Sequence, residues 1–267
     1  MSRRWSAAIV TASVAAFVVV SSPAWSSGLP QYELGGHLKS RAGARSFPDD
    51  SFYHDLTGAS ANDLAGNLRL NFAADTPGWN FRADAQFIAL YGDSVELSRE
   101  LEALVPGFAL SPSRLPNDER RWWDLTHVSQ DQGRTALLSR LDRLSVGYTG
   151  SSLSLRFGRQ ALSWGNGLFY SPMDIVNPFD PAQVDTEYKA GDDMLYGQLL
   201  MQNSNDIEGS YVFRRNLASG ELDDDESTLA VKYHGFGGVT EYDLMLARHY
   251  GEAMAAIGGS FDSDGAV

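Results

Sequence analysis

The sequence contains no cysteine. A disulfide framework, a thiolate metal site and thiol catalysis are therefore all excluded. Positive charge is also scarce, because 21 lysines and arginines stand against 34 aspartates and glutamates, giving a formal net charge of −13. Such an acidic chain repels nucleic acid, so we expect no nucleic-acid partner.

Long apolar runs are nearly absent as well. The exception is residues 7–20, which follow the basic pair Arg3 and Arg4 and precede the small residues of positions 21–26. The run is shorter than the about 20 apolar residues that a membrane-spanning helix needs, and this arrangement is typical of a secretory signal peptide. The alternative is an N-terminal membrane anchor. We predict a cleaved signal peptide over residues 1–26 and one exported domain over residues 27–267.

Motifs of known catalytic chemistry are missing from the sequence. It has no nucleophile elbow, no phosphate-binding loop and no dinucleotide fingerprint, and its 5 histidines lack metal-ligand spacing. We therefore predict no catalytic residue, no metal site, no cofactor and no enzymatic activity. The acidic run Asp223–Glu226 leaves two interpretations open, a solvated loop or a calcium-binding loop.

The main pattern in the sequence is an alternation with a period of two residues. Between Trp79 and Tyr91 the odd positions are apolar and most even positions, such as Arg82 and Asp84, are polar. Similar alternation recurs in about ten segments, including residues 144–148 and 153–157. Since side chains alternate across a strand, each segment predicts a strand with one apolar and one polar face.

The connections between these segments alternate in length. Turns after the even-numbered segments are short, and those after the first, third, fifth and seventh are longer. The longest, residues 92–136, contains leucines at helical spacing. Short periplasmic turns and long outer loops are typical of bacterial outer-membrane barrels. We therefore predict an all-β fold, an antiparallel transmembrane β-barrel whose long outer loops carry short helices, with outer-membrane lipid as its partner.

A motif-rich stretch follows the segment that ends at Phe157. It contains Gly158-Arg159-Gln160, Trp164-Gly165, Pro172-x-Asp174, Asn177-Pro178-Phe179 and then Gly191-Asp192-Asp193. This stretch resembles a signature of Gram-negative porin-like outer-membrane proteins, among them the alginate-export type channels. The resemblance implies a porin-like barrel. Family members are longer and usually end on an aromatic residue, so a complete barrel and a fragment without its last strands both stay open.

Two groups of residues are candidates for contact with a solute. The polar strand faces contribute predicted pore-lining residues, namely Arg69, Arg82, Asp84, Arg143, Arg156, Glu208 and Arg214. They either form a charged lumen that selects solutes or make internal ion pairs that fill a small barrel. The motif-rich loop contributes a predicted constriction, formed by Arg159, Trp164, Phe169, Asp174, Asn177 and Phe179. It either contacts the solute or packs on the barrel wall as a structural lid.

These features together predict an outer-membrane porin-like channel for diffusion or export of polar solutes, either small molecules or polysaccharide. The alternative is a barrel without a channel, such as an adhesin, a structural protein or an outer-membrane hydrolase. The sequence does not set the oligomeric state.

Overall fold

In the computed structural model the described residues form one antiparallel β-sheet with two short helices. The structure describes residues 9–21, 30–104, 115–164, 172–176, 188–238 and 240–261. The helices are α1 (Phe52–Thr57) and α2 (Asp93–Leu104). The strands within the described residues are β1 (Ile9–Ser21), β2 (Gln31–Ser46), β3 (Ser60–Thr76), β4 (Trp79–Gly92), β5 (Thr126–Gln132), β6 (Thr135–Thr149), β7 (Leu153–Gln160), β8 (Asp192–Leu200), β9 (Asp206–Val212), β10 (Thr228–Gly237), β11 (Thr240–His249) and β12 (Glu252–Phe261). The prediction of an all-β antiparallel fold is confirmed.

Strands that are adjacent in the sheet are, with one exception, consecutive in sequence. The order is β1-β2-β3-β4-β6-β7-β8-β9-β10-β11-β12, and β5 lies off this path. β4 pairs along the whole of one edge of β6. β5 pairs with the first half of the other edge and β7 with the second half. Within the described residues the sheet is not closed, since β1 lies at one end of this order and β12 at the other.

The first strand comes from the segment predicted to be a signal peptide. β1 pairs with β2 from Ile9 opposite Arg45 to Ser21 opposite Glu33. β2 is also longer than the sequence pattern suggested, because it continues to Ser46. Cleavage after residue 26 stays a prediction, and it would leave β2 as an edge of the sheet.

The region between β4 and β6 contains more regular structure than the sequence pattern indicated. The leucines at helical spacing lie in α2, as predicted, and β5 is an additional strand. The Asp63 carboxylate accepts hydrogen bonds from the backbone N–H (2.9 Å) and the hydroxyl (2.6 Å) of Ser94, which ties the start of α2 to β3. Among the described residues, no helix combines the length and the apolar character that crossing a membrane requires.

The two faces of the sheet differ sharply in polarity. One face, here called the apolar face, exposes large hydrophobic side chains along most of its width. Its members include Leu34, Leu38, Leu68, Leu70, Phe81, Phe87, Val146, Leu153, Leu155, Leu195, Leu199, Leu229, Val231, Leu244, Leu246 and Ile257. The opposite face, here called the polar face, carries rows of cross-strand polar neighbours. One row runs through His37, Arg69, Gln86 and Arg140. Another contains Gln198, Glu208 and Lys232.

The small hydrophobic core lies on the polar face, where the connection between β7 and β8 packs against the sheet. Trp164 and Met173 from this connection join Tyr196, Ala230 and Met245 from three strands in one buried cluster. Val176 packs in a second cluster with residues of β8 and β9. The described parts of the connection, residues 161–164 and 172–176, are therefore folded against the sheet.

A β-bulge interrupts the alternation of β6. Asp84 pairs with Arg143 and Ala85 pairs with Leu141, so Asp142 is an extra residue without its own partner on β4. Because a bulge breaks the two-residue period, Asp142 and Arg143 share the same ion-pair network although they are consecutive. The bulge thus places one more charged group on the polar face than strict alternation provides.

Candidate functional site

All seven predicted pore-lining residues lie on the polar face or beside it. Arg69, Arg82, Asp84, Arg143, Arg156 and Glu208 are strand residues, whereas Arg214 lies just after β9. They fall into three groups, one on β3 to β6, one on β7 to β11, and one around Arg214. The geometry of each group shows which charges are neutralised and which are available to a solute.

The first group is centred on Asp142, which lies at the bulge. Its carboxylate accepts hydrogen bonds from Arg69 (3.0 Å), Arg140 (2.9 Å) and Arg143 (2.7 Å). Arg69 also lies 3.6 Å from Asp84. Three guanidinium groups thus share one fully buried carboxylate, so cations exceed anions in this part of the polar face. Asp142 was not among the predicted site residues.

A polar cavity of about 430 Å³ lies next to this group. Its cationic walls are Arg82, Arg143 and Arg156, and its acidic walls are Asp75 and Asp84. Arg82 is paired with Asp75 at 3.0 Å near the short turn between β3 and β4. A cavity with charged groups of both signs can hold a hydrated polar solute.

The second group is organised by the carboxylate of Glu208. One carboxylate oxygen accepts hydrogen bonds from the Trp164 indole N–H and the Tyr196 hydroxyl, both at 2.7 Å. The other oxygen lies 2.7 Å from the Lys232 ammonium group. The guanidinium of Arg156 lies 5.5 Å from the ring centroid of Tyr196. Glu208 is therefore fully engaged and anchors the start of the β7–β8 connection to the sheet.

The third group surrounds Arg214. Its guanidinium donates to Asp192 (2.8 Å), to the Thr228 hydroxyl (2.7 Å) and to the backbone oxygen of Val176 (3.1 Å). The bond to Val176 fixes a second point of the same connection, midway between β7 and β8. The side chain of Arg214 is 7% exposed, and its charge is used to hold the loop.

The described residues of the predicted constriction occupy different positions. Trp164 is 2% exposed and packs in the core cluster, which matches the interpretation of a lid on the wall. Asp174 forms an ion pair with Lys189, so the loop is also tied to the residues that precede β8. Phe169, Asn177 and Phe179 lie outside the described residues.

Arg159 lies at the end of β7 rather than in the loop, and its side chain is 0% exposed. It donates to Asp118 (2.8 Å) and to both oxygens of Asp193 (2.8 and 3.0 Å). It also donates to the backbone oxygens of Trp123 and Leu141. The guanidinium thus lies at the point along one edge of β6 where the pairing with β5 ends and the pairing with β7 begins. A buried arginine with this many acceptors is structural and is not accessible to a solute.

Two neighbours of Arg159 make this arrangement possible. Gly158 has φ of +123°, and a Cβ atom there would lie 2.2 Å from the backbone oxygen of Leu144, so only glycine fits. Burial raises the pKa of Asp118, but the hydrogen bond and charge of Arg159, the N–H of Leu125 and the charge of Arg121 outweigh burial. The net result is a pKa of about 2, so Asp118 is ionised at neutral pH.

The acidic run Asp223–Glu226 makes several hydrogen bonds and ion pairs to protein groups. Glu226 pairs with Arg120 at 2.8 Å, and Asp224 accepts a hydrogen bond from the Tyr211 hydroxyl at 2.8 Å. Across the part of the chain that the structure describes, no three histidine, aspartate or glutamate side chains are grouped to hold a metal ion. The carboxylates of Asp224 and Glu226 are thus engaged with protein groups, and the two interpretations of the run stay predictions.

Comparison with known proteins identifies no relative. No family model, no curated protein and no solved structure matches the chain. The resemblance to porin-like proteins therefore stays a prediction from the motifs, and the functional argument depends on the geometry described above.

Proposed function

We propose that the chain forms the wall of an outer-membrane porin-like channel for diffusion or export of polar solutes. The observation that carries this proposal is the inverted polarity of the sheet. Large hydrophobic side chains are exposed on one face, while arginine and carboxylate side chains such as Arg69, Asp142 and Glu208 are buried on the other. A soluble sheet buries its apolar face, and soluble proteins rarely expose an apolar patch larger than a few hundred Å².

The apolar face has the features that contact with lipid requires. Its exposed hydrophobic residues occur on β2 to β4, on β6 to β8 and on β10 to β12, and β9 between them contributes the half-buried Ile207 and Tyr211. Trp79 and Tyr148 contact each other with ring centroids 5.3 Å apart, close to the short turns. Aromatic residues near strand ends are typical of the interfacial girdles of outer-membrane barrels. The predicted signal peptide supplies the route of export to that membrane.

The polar face supplies what passage of a polar solute requires. The cavity of about 430 Å³ is lined by arginines, aspartates and the amides of Asn80 and Gln160. Such groups replace part of the hydration of a solute without binding it irreversibly. We therefore assign the β3–β7 part of the polar face to the solute path.

A second candidate is a barrel without a channel, an adhesin or a structural protein. The packing of Trp164, Met173 and Val176 on the polar face of β8 to β12 favours it, because this packing fills space that a wide pore needs. The two candidates share the same membrane orientation and differ in conductance.

Conductance of the purified full chain in planar lipid bilayers tests the proposal. We expect stepwise conductance, and we expect Arg82→Gln combined with Arg156→Gln to shift the ion selectivity towards cations. Arg248→Gln is the matched control, because Arg248 pairs with Asp225 away from the cavity. Protein that is inserted and folded but carries no current would refute the channel and leave the second candidate. Unchanged selectivity in the double variant would place the solute path elsewhere.

A further inference from the structure

We infer that the polar face contains a binding pocket for a small hydroxylated oxyanion, formed by Lys39, Asn67, Arg69, Gln86, Arg140 and Tyr188. The inference rests on the proposed function, because the pocket would bind a solute of the channel. The pocket itself could bind an anion even if the chain forms no channel. The pocket is a cavity of about 200 Å³ lined by residues of β2, β3, β4 and β6 and by Tyr188 and Ala190, which precede β8. It is distinct from the cavity of about 430 Å³, because the residues that line the two cavities are different.

The charges around the pocket favour an anion. Among the described residues of the lining, Lys39, Arg69 and Arg140 are cationic and Asp142 is the one carboxylate. That carboxylate is already shared by Arg69, Arg140 and Arg143. Asp84, which lies 3.6 Å from Arg69, lines the other cavity. A net positive pocket of this kind within an acidic chain concentrates anions locally.

Hydrogen-bonding capacity at the pocket is left unused by the described residues. The side chains of Arg69 and Arg140 are 4% and 6% exposed, yet Nε of Arg140 has no hydrogen-bond partner there, and Nη1 of Arg69 makes no hydrogen bond and has the Asp84 carboxylate 3.6 Å away. Oδ1 of Asn67 is a buried acceptor that also has no hydrogen-bond partner among the described residues. Buried donors and acceptors are normally satisfied, so such groups point to a ligand or water. Two charged donors and one acceptor match an oxyanion that also carries a hydroxyl group.

The aromatic ring of Tyr188 holds the donors in place. It stacks on His37 with ring centroids 5.3 Å apart, and the Arg69 guanidinium lies 4.3 Å from its centroid. Asp142 fixes the other side of the same guanidinium at 3.0 Å. An arginine held on both sides loses little freedom when it binds an anion, which favours affinity. The size of the cavity suits a phosphate group or a small hydroxycarboxylate.

Calorimetric titration of the folded full chain in detergent micelles tests the inference, with inorganic phosphate and lactate as the two probes. We expect one saturable site for at least one probe, and the preferred probe distinguishes a phosphate source from a carboxylate source. Asn67→Asp places a negative charge in the pocket and should weaken binding on the order of tenfold or more. Asn62→Asp is the matched control, since it makes the same charge change at an exposed position of β3.

Each outcome of this experiment decides the question. Loss of affinity in Asn67→Asp alone supports the pocket, and Lys39→Gln should weaken binding in the same direction if Asn67→Asp fails to fold. No saturable binding by the wild type overturns the inference. Equal losses in both aspartate variants would indicate a general charge effect and an adventitious ion only. Conductance recorded on the same preparations separates the two proposals, because a channel without anion binding refutes the pocket alone.

Discussion

An arginine on the apolar face tests whether this face contacts lipid. Val231 lies near the middle of β10, is 46% exposed, and has Gly209 and Leu246 as its cross-strand neighbours. In a bilayer, Val231→Arg places a charge near the middle of the hydrocarbon, which costs about 2–4 kcal/mol. At 1.4 kcal/mol per factor of ten, this lowers the folding equilibrium constant about 30- to 700-fold. On a water-exposed sheet the same substitution changes stability by about 0.5 kcal/mol or less.

The assay is urea-dependent folding into phospholipid vesicles, followed by tryptophan fluorescence and by mobility in unheated gels. Lys232→Arg is the matched control, because it places an arginine at the adjacent position and the same depth but on the polar face beside Glu208. We expect near wild-type folding for Lys232→Arg and a large loss for Val231→Arg. Equal folding of both variants in vesicles would mean that β10 has no lipid-facing side, and the membrane proposal would lose its support.

Three further predictions concern the buried polar groups. Arg159→Met leaves Asp193 buried without its cation, whereas Asp118 keeps its ion pair with Arg121, so urea unfolding should show a loss of about 3–5 kcal/mol. Asp118 has a lowered pKa of about 2 in the folded chain, so its ionised form stabilises the fold by about 2 kcal/mol above about pH 4, and this stabilisation disappears as the pH falls towards 2. Asp118→Asn should flatten the dependence of the unfolding free energy on pH over that interval. An unchanged pH dependence in this variant contradicts the assignment. Trp164→Phe removes one donor to the Glu208 carboxylate, and urea titration should show a loss of about 1–3 kcal/mol.

The strand faces could be predicted from the sequence because alternation is a local property. Phe81, Phe87 and Val146 are on the exposed apolar face as the pattern indicated, and Arg82 and Asp84 line the polar cavity. The turns between paired strands also follow from local signals such as Pro and Gly. These features need no knowledge of distant contacts.

The remaining features depend on contacts between distant segments. β5 has the sequence Thr-His-Val-Ser-Gln-Asp-Gln, which lacks apolar alternation, so its pairing with half of β6 had no local signal. The ion pairs of Arg159 with Asp118 and Asp193 join residues 41 and 34 positions apart. The bulge is different, because two consecutive charged residues, Asp142 and Arg143, stand between Leu141 and Leu144. That break in the alternation was a readable signal.

The free edges of the sheet set a condition on the proposed membrane form. Within the described residues β12 pairs only with β11, and β1 pairs only with β2. An unsatisfied backbone group in hydrocarbon costs several kcal/mol because no water replaces the missing partner. If β1 were removed with the predicted signal peptide, the exposed backbone groups of β2 would need partners instead. β2 and β12 run in opposite directions in the sheet, so they could pair as antiparallel strands. An apolar face alone therefore does not carry this sheet into a bilayer, and insertion requires that its edges be paired, with each other or with further strands.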